Sequence, residues 1–422
     1  MGINILNRYK NSEYKKEIHD TLWVMCLQGL NYLVPILVVP YLMVVLGAEK
    51  FGYYGFALAV SQWLLLIVDF GFNLSATKRI ALVSDSKEKV SLIFSNVVYA
   101  KIGLLLLSFL ILLSLMIVPQ FVIYRKAMLL MFTTVIGNTF FYIFLFQGIG
   151  KIRWIAIVNC FSKISVLPMT FVLVKSPADY PIAILLQGIV SIVAAIVSLI
   201  IISKNKWVKL LQIKECDIKN ELKESWPLFL SVAATSIYTA LFVVILGLFA
   251  SAHEVGQYSA ADRLMRAMCY LVLFPILQVF YPKISKLAKE NRELAYRLSN
   301  KLLRIMVGLM LIVWIILFFG STTIMELLGK DYEGCENIFY VMAFVPIFVG
   351  ISGVLGQCHL LALGGLNSKL YFERTYFVAA AIAFIGIFAL TPTFHGLGAA
   401  IALLITEASV VGFFYKKQLE KV

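Results

Sequence analysis

The stretch VGQYSAADRLMRAMCYLVLFP, residues Val255 to Pro275, decides the fold, because it places three charged side chains inside a long apolar segment. The charged residues are Asp262, Arg263 and Arg266. An ionised side chain in the middle of a bilayer costs at least about 2.5–3.5 kcal/mol, so it normally faces a partner or a water-filled cavity. The stretch therefore predicts a membrane helix whose charges are paired or line a cavity.

The composition extends this prediction to the whole chain. Of the 422 residues, 61% are hydrophobic, whereas soluble domains are roughly 45–50% apolar. Apolar runs recur along the sequence, and a run of about 20 residues is long enough to cross a hydrocarbon core roughly 30 Å thick. No series of short alternating strands is visible, so the sequence predicts an all-α integral membrane protein.

The apolar runs predict about twelve transmembrane helices. They are Thr21–Leu46, Phe51–Phe72, Leu92–Val118, Ala127–Phe146, Trp154–Val174, Ile182–Ser203, Pro227–Ala250, Gly256–Pro282, Ile305–Leu328, Ile338–Leu363, Thr375–Leu390 and Leu397–Tyr415.

The placement of Lys and Arg predicts the orientation of these helices. The net charge is +14, which by itself would suggest a nucleic-acid partner, but most of the 37 basic residues fall in segments on the side of both termini. The opposite loops carry only Lys50, Arg125, Lys126, Lys175 and Lys330. The positive-inside rule then places both termini of this multi-pass protein in the cytoplasm, with the bilayer rather than nucleic acid as partner.

Motifs for metal or nucleotide chemistry are missing from the sequence. The 6 Cys and 4 His residues show no metal-binding spacing, and there is no P-loop. We therefore expect no cofactor and no metal, and regard an ion or proton gradient as the candidate energy source.

An internal repeat predicts how the helices are grouped. Residues 51–57, FGYYGFA, align without gaps on residues 255–261, VGQYSAA, about half the chain away. Chance agreement at a few glycine and aromatic positions is the alternative. A repeat of six helices preserves orientation, so it predicts two parallel six-helix bundles with a substrate site between them and alternating access to that site. The predicted organisation is an N-terminal arm (1–20), an N-terminal bundle (21–203), a linker (204–226), a C-terminal bundle (227–415) and a tail (416–422).

Four short motifs resemble a known family. They are LGAEKFGYYG (46–55), DFGFNLSATKRIA (69–81), FQGIGK (146–151) and VGQYSAA (255–261). They resemble the polysaccharide-transporter branch of the multidrug/oligosaccharidyl-lipid/polysaccharide exporters, which are O-antigen flippases with a MATE-like fold. The resemblance covers most of the chain. It implies a location in the bacterial inner membrane and transfer of an undecaprenyl-pyrophosphate-linked oligosaccharide repeat unit from the cytoplasmic to the periplasmic leaflet. A polysaccharide polymerase and a chain-length regulator are candidate partners.

The charged stretch provides the first candidate site residues. On a helix, Asp262 and Arg266 are four residues apart and can pair, which leaves Arg263 as the freer cation. A guanidinium group presents a rigid fork that suits phosphate oxygens, so this face is a candidate site for pyrophosphate or an acidic sugar. The alternatives are that the three side chains satisfy one another and fix the packing, or that Asp262 and Arg263 reach the outer interface.

Other intramembrane charges complete the predicted site. Lys163 lies near the middle of the fifth span, and Lys101 lies in the third span, from which it could also reach the interface. With the two arginines they would form a cationic cavity. Asp69 can pair with Lys101 or Arg79, and Glu407 is either an ion-coupling site or a buried carboxylate bonded within its bundle.

Two other functions compete with the flippase interpretation. A cation-coupled multidrug antiporter of the same superfamily needs a carboxylate-lined cavity, whereas the intramembrane surplus here is positive. A polysaccharide polymerase, which is an enzyme, usually has a large outer loop, and every predicted outer loop is short. The sequence therefore favours a transporter rather than an enzyme.

Overall fold

The computed structural model describes residues 37–212, 217–364 and 366–419, and these ranges consist of helices and short connections without β-strands. The predicted arm, most of the predicted first span and the end of the tail lie outside the described residues.

The described part of the first half, from residue 37, contains seven helices. They are α1 (37–69), α2 (Phe72–Leu82), α3 (Lys87–Leu115), α4 (Arg125–Thr139), α5 (Ile143–Gly148), α6 (Ile152–Leu173) and α7 (Tyr180–Asn205), with 3-10 turns at Pro119–Tyr124 and Pro177–Asp179.

Six helices are described in the second half. They are α8 (Ile218–Phe249), α9 (Ala252–Glu290), α10 (Arg292–Leu328), α11 (Glu336–Ala343), α12 (Val345–Val354) and α13 (Leu366–Leu419), with a 3-10 turn at Lys330–Tyr332 and a π-helical segment at Leu355–Ala362.

Two of the long helical stretches contain a backbone break. Gly47 has a φ angle of +67° within α1, and His395 has a φ angle of 49° within α13. This left-handed region is open to glycine and sparsely populated by other residues. The breaks fall where the predicted first and second spans meet and where the predicted eleventh and twelfth spans meet. Helix α1 therefore contains the described end of the first predicted span followed by the second, and α13 contains the last two predicted spans.

The apolar helices confirm the membrane fold. Nine segments of the described residues are long and apolar enough to cross a bilayer, and two of them, Leu37–Leu82 and Leu370–Lys417, run across the breaks. Large apolar side chains point outward from the bundle, including Leu106, Ile200 and Phe319 at 63%, 58% and 71% exposure. Such a surface suits lipid rather than water. The all-α membrane fold is confirmed, and the count of twelve spans remains a prediction.

The connection between the halves is shorter than the predicted linker. Helix α7 ends at Asn205 and α8 begins at Ile218, so the last part of the predicted linker is helical. Asp217 accepts a hydrogen bond from the backbone N–H of Asn220 at 3.0 Å, which caps the first turn of α8. The acidic residues Glu221 and Glu224 therefore have fixed positions on a helix. We call this end of the bundle the linker end.

Two predicted spans are interrupted. The predicted fourth span is divided into α4 and α5 by residues 140–142, where the side chains of Phe141 and Tyr142 are each 4% exposed and pack into the core of the first half. The predicted tenth span is divided into α11, α12 and the π-helical segment. Pro346 lies in the first turn of α12, where its missing N–H costs no helical hydrogen bond.

The helices pack mainly within their own half. In the first half α7 packs on α4 and α6, and α2 packs on α5; in the second half α10 packs on α9 and α12, and α8 packs on α13. One apolar core nevertheless includes side chains from both halves, among them Phe56 and Tyr258. The domain boundaries given above remain a prediction, but this packing fits two bundles.

The two repeat segments pack directly against each other. A Cβ atom added to Gly52 would clash with the carbonyl oxygen of Ala252, and one added to Gly256 would clash with the carbonyl oxygen of Ala48. Gly52 aligns with Gly256, and Ala48 aligns with Ala252 at the same spacing. The contact between Gly52 and Ala252 is thus repeated between their equivalents, Gly256 and Ala48, as contacts are across a two-fold axis. We call these four residues the glycine seam.

The seam lies at the end of the bundle opposite the linker. Helix α8 begins at the linker end, so its last residue, Phe249, and the start of α9 lie at the opposite end. One turn further along the helices, a Cβ atom added to Gly55 would lie 2.7 Å from Oγ of Ser259, its equivalent in the repeat. The repeat seen in the sequence is therefore also a contact that joins the two halves.

Candidate functional site

A mainly apolar cavity with a few polar side chains lies where helices of the first half meet α9 of the second. Its volume is about 170 Å³, and its lining comes from α1, α6 and α7 of the first half and α9 of the second. The polar lining residues are Tyr54, Lys163, Thr170, Gln187 and Arg263. The two cations that the sequence placed in separate spans therefore face one cavity.

Helical periodicity explains which side chains reach the cavity. On α6 the lining residues Lys163, Val166 and Thr170 are spaced by three and four residues, so they share one helix face. On α7 the same spacing aligns Ala183 with Gln187. The two helices thus contribute Lys163, Thr170 and Gln187 to an otherwise apolar wall.

Arg263 is held against aromatic rings of the other half. Its guanidinium carbon lies 5.9 Å from the ring centroid of Phe51 and 5.4 Å from that of Tyr54. A cation over an aromatic face gains about 0.5–2 kcal/mol, more where water is excluded. Over residues 37–212, 217–364 and 366–419, no carboxylate lies within ion-pair distance of Arg263. The rings thus position the charge of Arg263, and no described carboxylate neutralises it.

Asp262 and Arg266 form the predicted pair on the face of α9 beside the cavity. Nε of Arg266 lies 2.8 Å from Oδ1 and 2.9 Å from Oδ2 of Asp262, and a terminal nitrogen donates to the hydroxyl of Tyr270 at 3.3 Å. Arg266 is not among the residues that line the cavity. The structure therefore separates the two arginines: Arg266 is paired within α9, and Arg263 faces the cavity.

Lys101 does not line the cavity either. Its side chain is 1% exposed, and its amine lies 2.8 Å from a carboxylate oxygen of Asp69 and 6.0 Å from the ring centroid of Phe144. Of the two partners considered for Asp69, the structure selects Lys101. The expectation that Lys101 could reach the interface is wrong, because packing inside the first half encloses it.

We expect Lys101→Met to destabilise the first half, because it leaves the carboxylate of Asp69 without its cation. Breaking a fully buried ion pair costs about 3–5 kcal/mol, and the cost here is smaller, because the side chain of Asp69 is 30% exposed. Thermal unfolding of the purified protein in detergent measures the effect. The double variant Lys101→Met, Asp69→Asn should recover part of the loss, and a single variant as stable as the parent would contradict the assignment.

Glu407 lies inside the second half. Its side chain is buried, with 5% exposure, and the guanidinium charge of Arg266 is close enough to interact electrostatically with its carboxyl group. Cys269, Tyr270 and Tyr376 surround the same region of α9 and α13. The structure thus places Glu407 near the Asp262–Arg266 pair and outside the lining of the cavity.

Arg79 belongs to a cluster that joins the halves at the linker end, which we call the clamp. The clamp consists of Phe70, Ser75 and Arg79 from the first half and Glu221, Glu224, Ser225 and Phe229 from the second. Arg79 pairs with Glu221, and its other terminal nitrogen lies 3.0 Å from Glu224.

Sequence reasoning missed the clamp, because it assigned Glu221 and Glu224 to a charged linker. The signal available in the sequence was local. Asp217 is a good N-cap, and a helix beginning there places the two glutamates three residues apart on one face. The partner across the halves could not be read from that signal.

Two helical bundles with a cationic cavity at their junction define a membrane transporter. The chain belongs to the polysaccharide biosynthesis protein family, which matches residues 18–288. Over 396 residues it is 32% identical to a protein of Escherichia coli (strain K12) whose name assigns it provisionally to O-antigen transport, with 93% of this chain and 94% of that protein covered.

Solved structures confirm the fold. The lipid II flippase MurJ in an inward closed conformation superposes with a TM-score of 0.71 at 17% identity, covering 95% of this chain and 87% of that chain. An inward-facing multidrug transporter of the MATE family superposes with a TM-score of 0.64 at 12% identity, covering 92% and 98%. At these identities the likeness establishes the MATE-like arrangement of helices and nothing about the substrate.

Proposed function

We propose that the protein is a flippase that transfers a lipid-linked oligosaccharide unit, carried on undecaprenyl pyrophosphate, from the cytoplasmic to the periplasmic leaflet. The observation that carries the proposal is the presence of Arg263 and Lys163 in one cavity at the junction of the halves. Guanidinium and ammonium groups are the usual protein partners of phosphate oxygens. Membership of the polysaccharide biosynthesis family and the O-antigen relative support the oligosaccharide part of the substrate.

The size of the cavity supports transfer by alternating access. A cavity of about 170 Å³ is smaller than the roughly 300–1,000 Å³ of a pocket for a drug-sized ligand. A pyrophosphate-linked oligosaccharide is larger than a drug-sized ligand, so it does not fit in this cavity. The halves therefore have to separate to admit it, first at one end and then at the other.

Multidrug antiport is less well supported by the same cavity. A site for organic cations would present carboxylates, and within the described part of the chain the cavity lining includes two basic residues and no acidic one. An anionic substrate suits this lining better.

We infer that the linker end faces the cytoplasm of the bacterial inner membrane. The bias of Lys and Arg toward the termini and the linker supports this orientation. A polysaccharide polymerase and a chain-length regulator are the partners that would receive the transferred unit on the periplasmic side.

The direct test of the function is deletion. Cells that lack the protein should accumulate undecaprenyl-pyrophosphate-linked repeat units on the cytoplasmic leaflet and lose the corresponding surface polysaccharide. Extraction of the lipid-linked units from inside-out and right-side-out vesicles measures the distribution. An unchanged distribution would contradict the proposal.

We propose Glu407 as the group that couples transfer to an ion or proton gradient. It is a carboxylate 5% exposed in a membrane-spanning segment, and ionisable groups at such positions are costly and are found along substrate and ion pathways. Glu407→Gln keeps the shape of the side chain but removes its charge. In vesicles we expect the transfer rate of the parent to rise with an imposed gradient and the rate of Glu407→Gln to stay flat. A variant that responds like the parent would remove Glu407 from this role.

A further inference from the structure

We propose that the clamp at the linker end is the gate through which the substrate reaches the cavity, and that phosphate opens it by displacing Glu221 and Glu224 from Arg79. The identity of the phosphate donor rests on the proposed function. The existence of the gate rests on the contacts alone.

The clamp joins the halves through a small number of specific contacts. The hydroxyl groups of Ser75 and Ser225 lie 2.6 Å apart in a buried position, and the rings of Phe70 and Phe229 stack with centroids 4.6 Å apart. Gly71, with a φ angle of +79°, brings the two backbones together, since a Cβ atom there would lie 2.9 Å from the backbone nitrogen of Phe229. The start of α2 and the first turns of α8 therefore close this end of the bundle.

Along α9, Arg263 lies between two contacts that join the halves. The glycine seam holds the halves together at one end, and the clamp holds them together at the other. A substrate larger than the cavity has to open one of them to reach Arg263. The seam consists of close backbone contacts, whereas the clamp also contains ionic and hydroxyl groups. The clamp is therefore the end at which water can replace polar partners when the halves separate.

The charges in the clamp give phosphate a way to open it. Arg79 faces two carboxylates, and its Nε has no hydrogen-bond partner among the described residues. Its side chain is 24% exposed and that of Glu224 is 44% exposed, so an anion at the linker end can reach the pair. Phosphate oxygens match the guanidinium fork as carboxylates do.

Displacement would also disfavour reclosure. The side chain of Glu221 is 2% exposed, and it accepts a hydrogen bond from the amide of Asn96 at 3.2 Å. Without Arg79, this buried carboxylate would face Glu224 with no cation between them. A buried charge that loses its partner favours the state in which water reaches it. Arg79 is therefore a positioning residue for the closed state.

Cross-linking tests the gate. The pair Ser75→Cys, Ser225→Cys is introduced into a background in which the natural cysteines are replaced, and the new thiols are joined with an oxidant. The natural cysteines are Cys26, Cys160, Cys216, Cys269, Cys335 and Cys358. We expect transfer of the lipid-linked unit to fall at least ~10-fold on oxidation and to return on reduction, because a disulfide fixes the two Cα atoms within about 7 Å.

A matched control separates gating from cross-linking as such. Asn138 and Ser191 lie in the first half, with the amide nitrogen 3.0 Å from the hydroxyl. The pair Asn138→Cys, Ser191→Cys joins two helices of one bundle, so oxidation should leave transfer within about twofold of the reduced protein. A clamp that is cross-linked while transfer continues would overturn the proposal.

A second measurement does not depend on the substrate. With Leu58→Cys as a reporter on the cavity wall, a maleimide added at the linker end should label it several-fold more slowly when the clamp is cross-linked. Equal labelling rates would overturn the gate even if transfer were lost. If labelling is blocked but the reduced protein moves no lipid-linked oligosaccharide, the gate stands and the proposed function fails.

The role of phosphate is tested with inorganic pyrophosphate as the probe. It should raise the labelling of the Leu58→Cys reporter several-fold compared with sodium chloride at equal ionic strength. Arg79→Gln should label quickly in both salts, because its clamp is already released. Equal labelling of the parent in the two salts would overturn displacement by phosphate, and slow labelling of Arg79→Gln would remove Arg79 from the closed state.

Discussion

Replacement of Arg263 by alanine is expected to lower the transfer of lipid-linked units by about 10- to 100-fold at matched expression. A hydrogen bond to a charged group contributes about 1.5–3 kcal/mol, which corresponds to this range. The effect is large because Arg263 lines the cavity and stands over the rings of Phe51 and Tyr54. The readout is the amount of surface polysaccharide together with the transfer rate in vesicles.

Two further variants make this prediction specific. Arg263→Lys keeps the charge but loses the planar fork, so it should transfer at a rate between those of the parent and the alanine variant. Arg297→Ala removes an arginine whose side chain is 74% exposed and pairs with Glu293 at the surface, and it should leave transfer unchanged. Wild-type polysaccharide in Arg263→Ala would mean that the cavity does not bind the anionic group.

The class of the protein was accessible from the sequence because hydrophobic run length reports directly on the bilayer. The i,i+4 spacing of Asp262 and Arg266 also predicted a pair that the structure confirms at 2.8 Å. Both inferences use one helix at a time. Neither inference depends on how neighbouring helices are rotated about their axes.

The lining of the cavity could not be predicted in the same way. Arg263 and Arg266 are three residues apart and share a face in projection, yet only Arg263 lines the cavity. The rotation of a membrane helix is set by its packing against neighbours, here the aromatic side chains of α1, and periodicity contains no information about that packing. The pairing of Lys101 with Asp69 depends on packing of the same kind.

The clamp could not be predicted from the sequence for a different reason. The composition of residues 204–226 is that of a charged connection, and charge runs of this kind usually face solvent. In the structure Glu221 is 2% exposed, because α8 begins earlier than the apolar run and turns the glutamate toward Arg79. The burial of Glu221 therefore depends on its contact with Arg79, which is far away in the sequence.

Gly256→Ala is expected to have the second large effect, because a single methyl group at this position meets backbone rather than a movable side chain. The added Cβ would clash with the carbonyl oxygen of Ala48, so α1 and α9 would have to separate at the end opposite the linker. We expect transfer to fall at least ~10-fold, as in a protein that loses a small-residue contact between membrane helices. Gly52→Ala should behave alike, because Gly52 is the repeat equivalent and meets Ala252.

Glycines elsewhere in the helices provide the matched control. At Gly103 in α3 and Gly308 in α10, an added Cβ would meet no atom of another described element within 4 Å. Alanine at either position should leave transfer intact and should stabilise its helix slightly, since alanine is favoured over glycine by up to about 1 kcal/mol in a helix. Seam variants that transfer like the parent would show that the contact is not needed in the transport cycle. If the seam closes the end opposite the linker once per cycle, Gly52→Ala and Gly256→Ala should both leave the cavity open on that side. A maleimide added there should then label the Leu58→Cys reporter faster than in the parent.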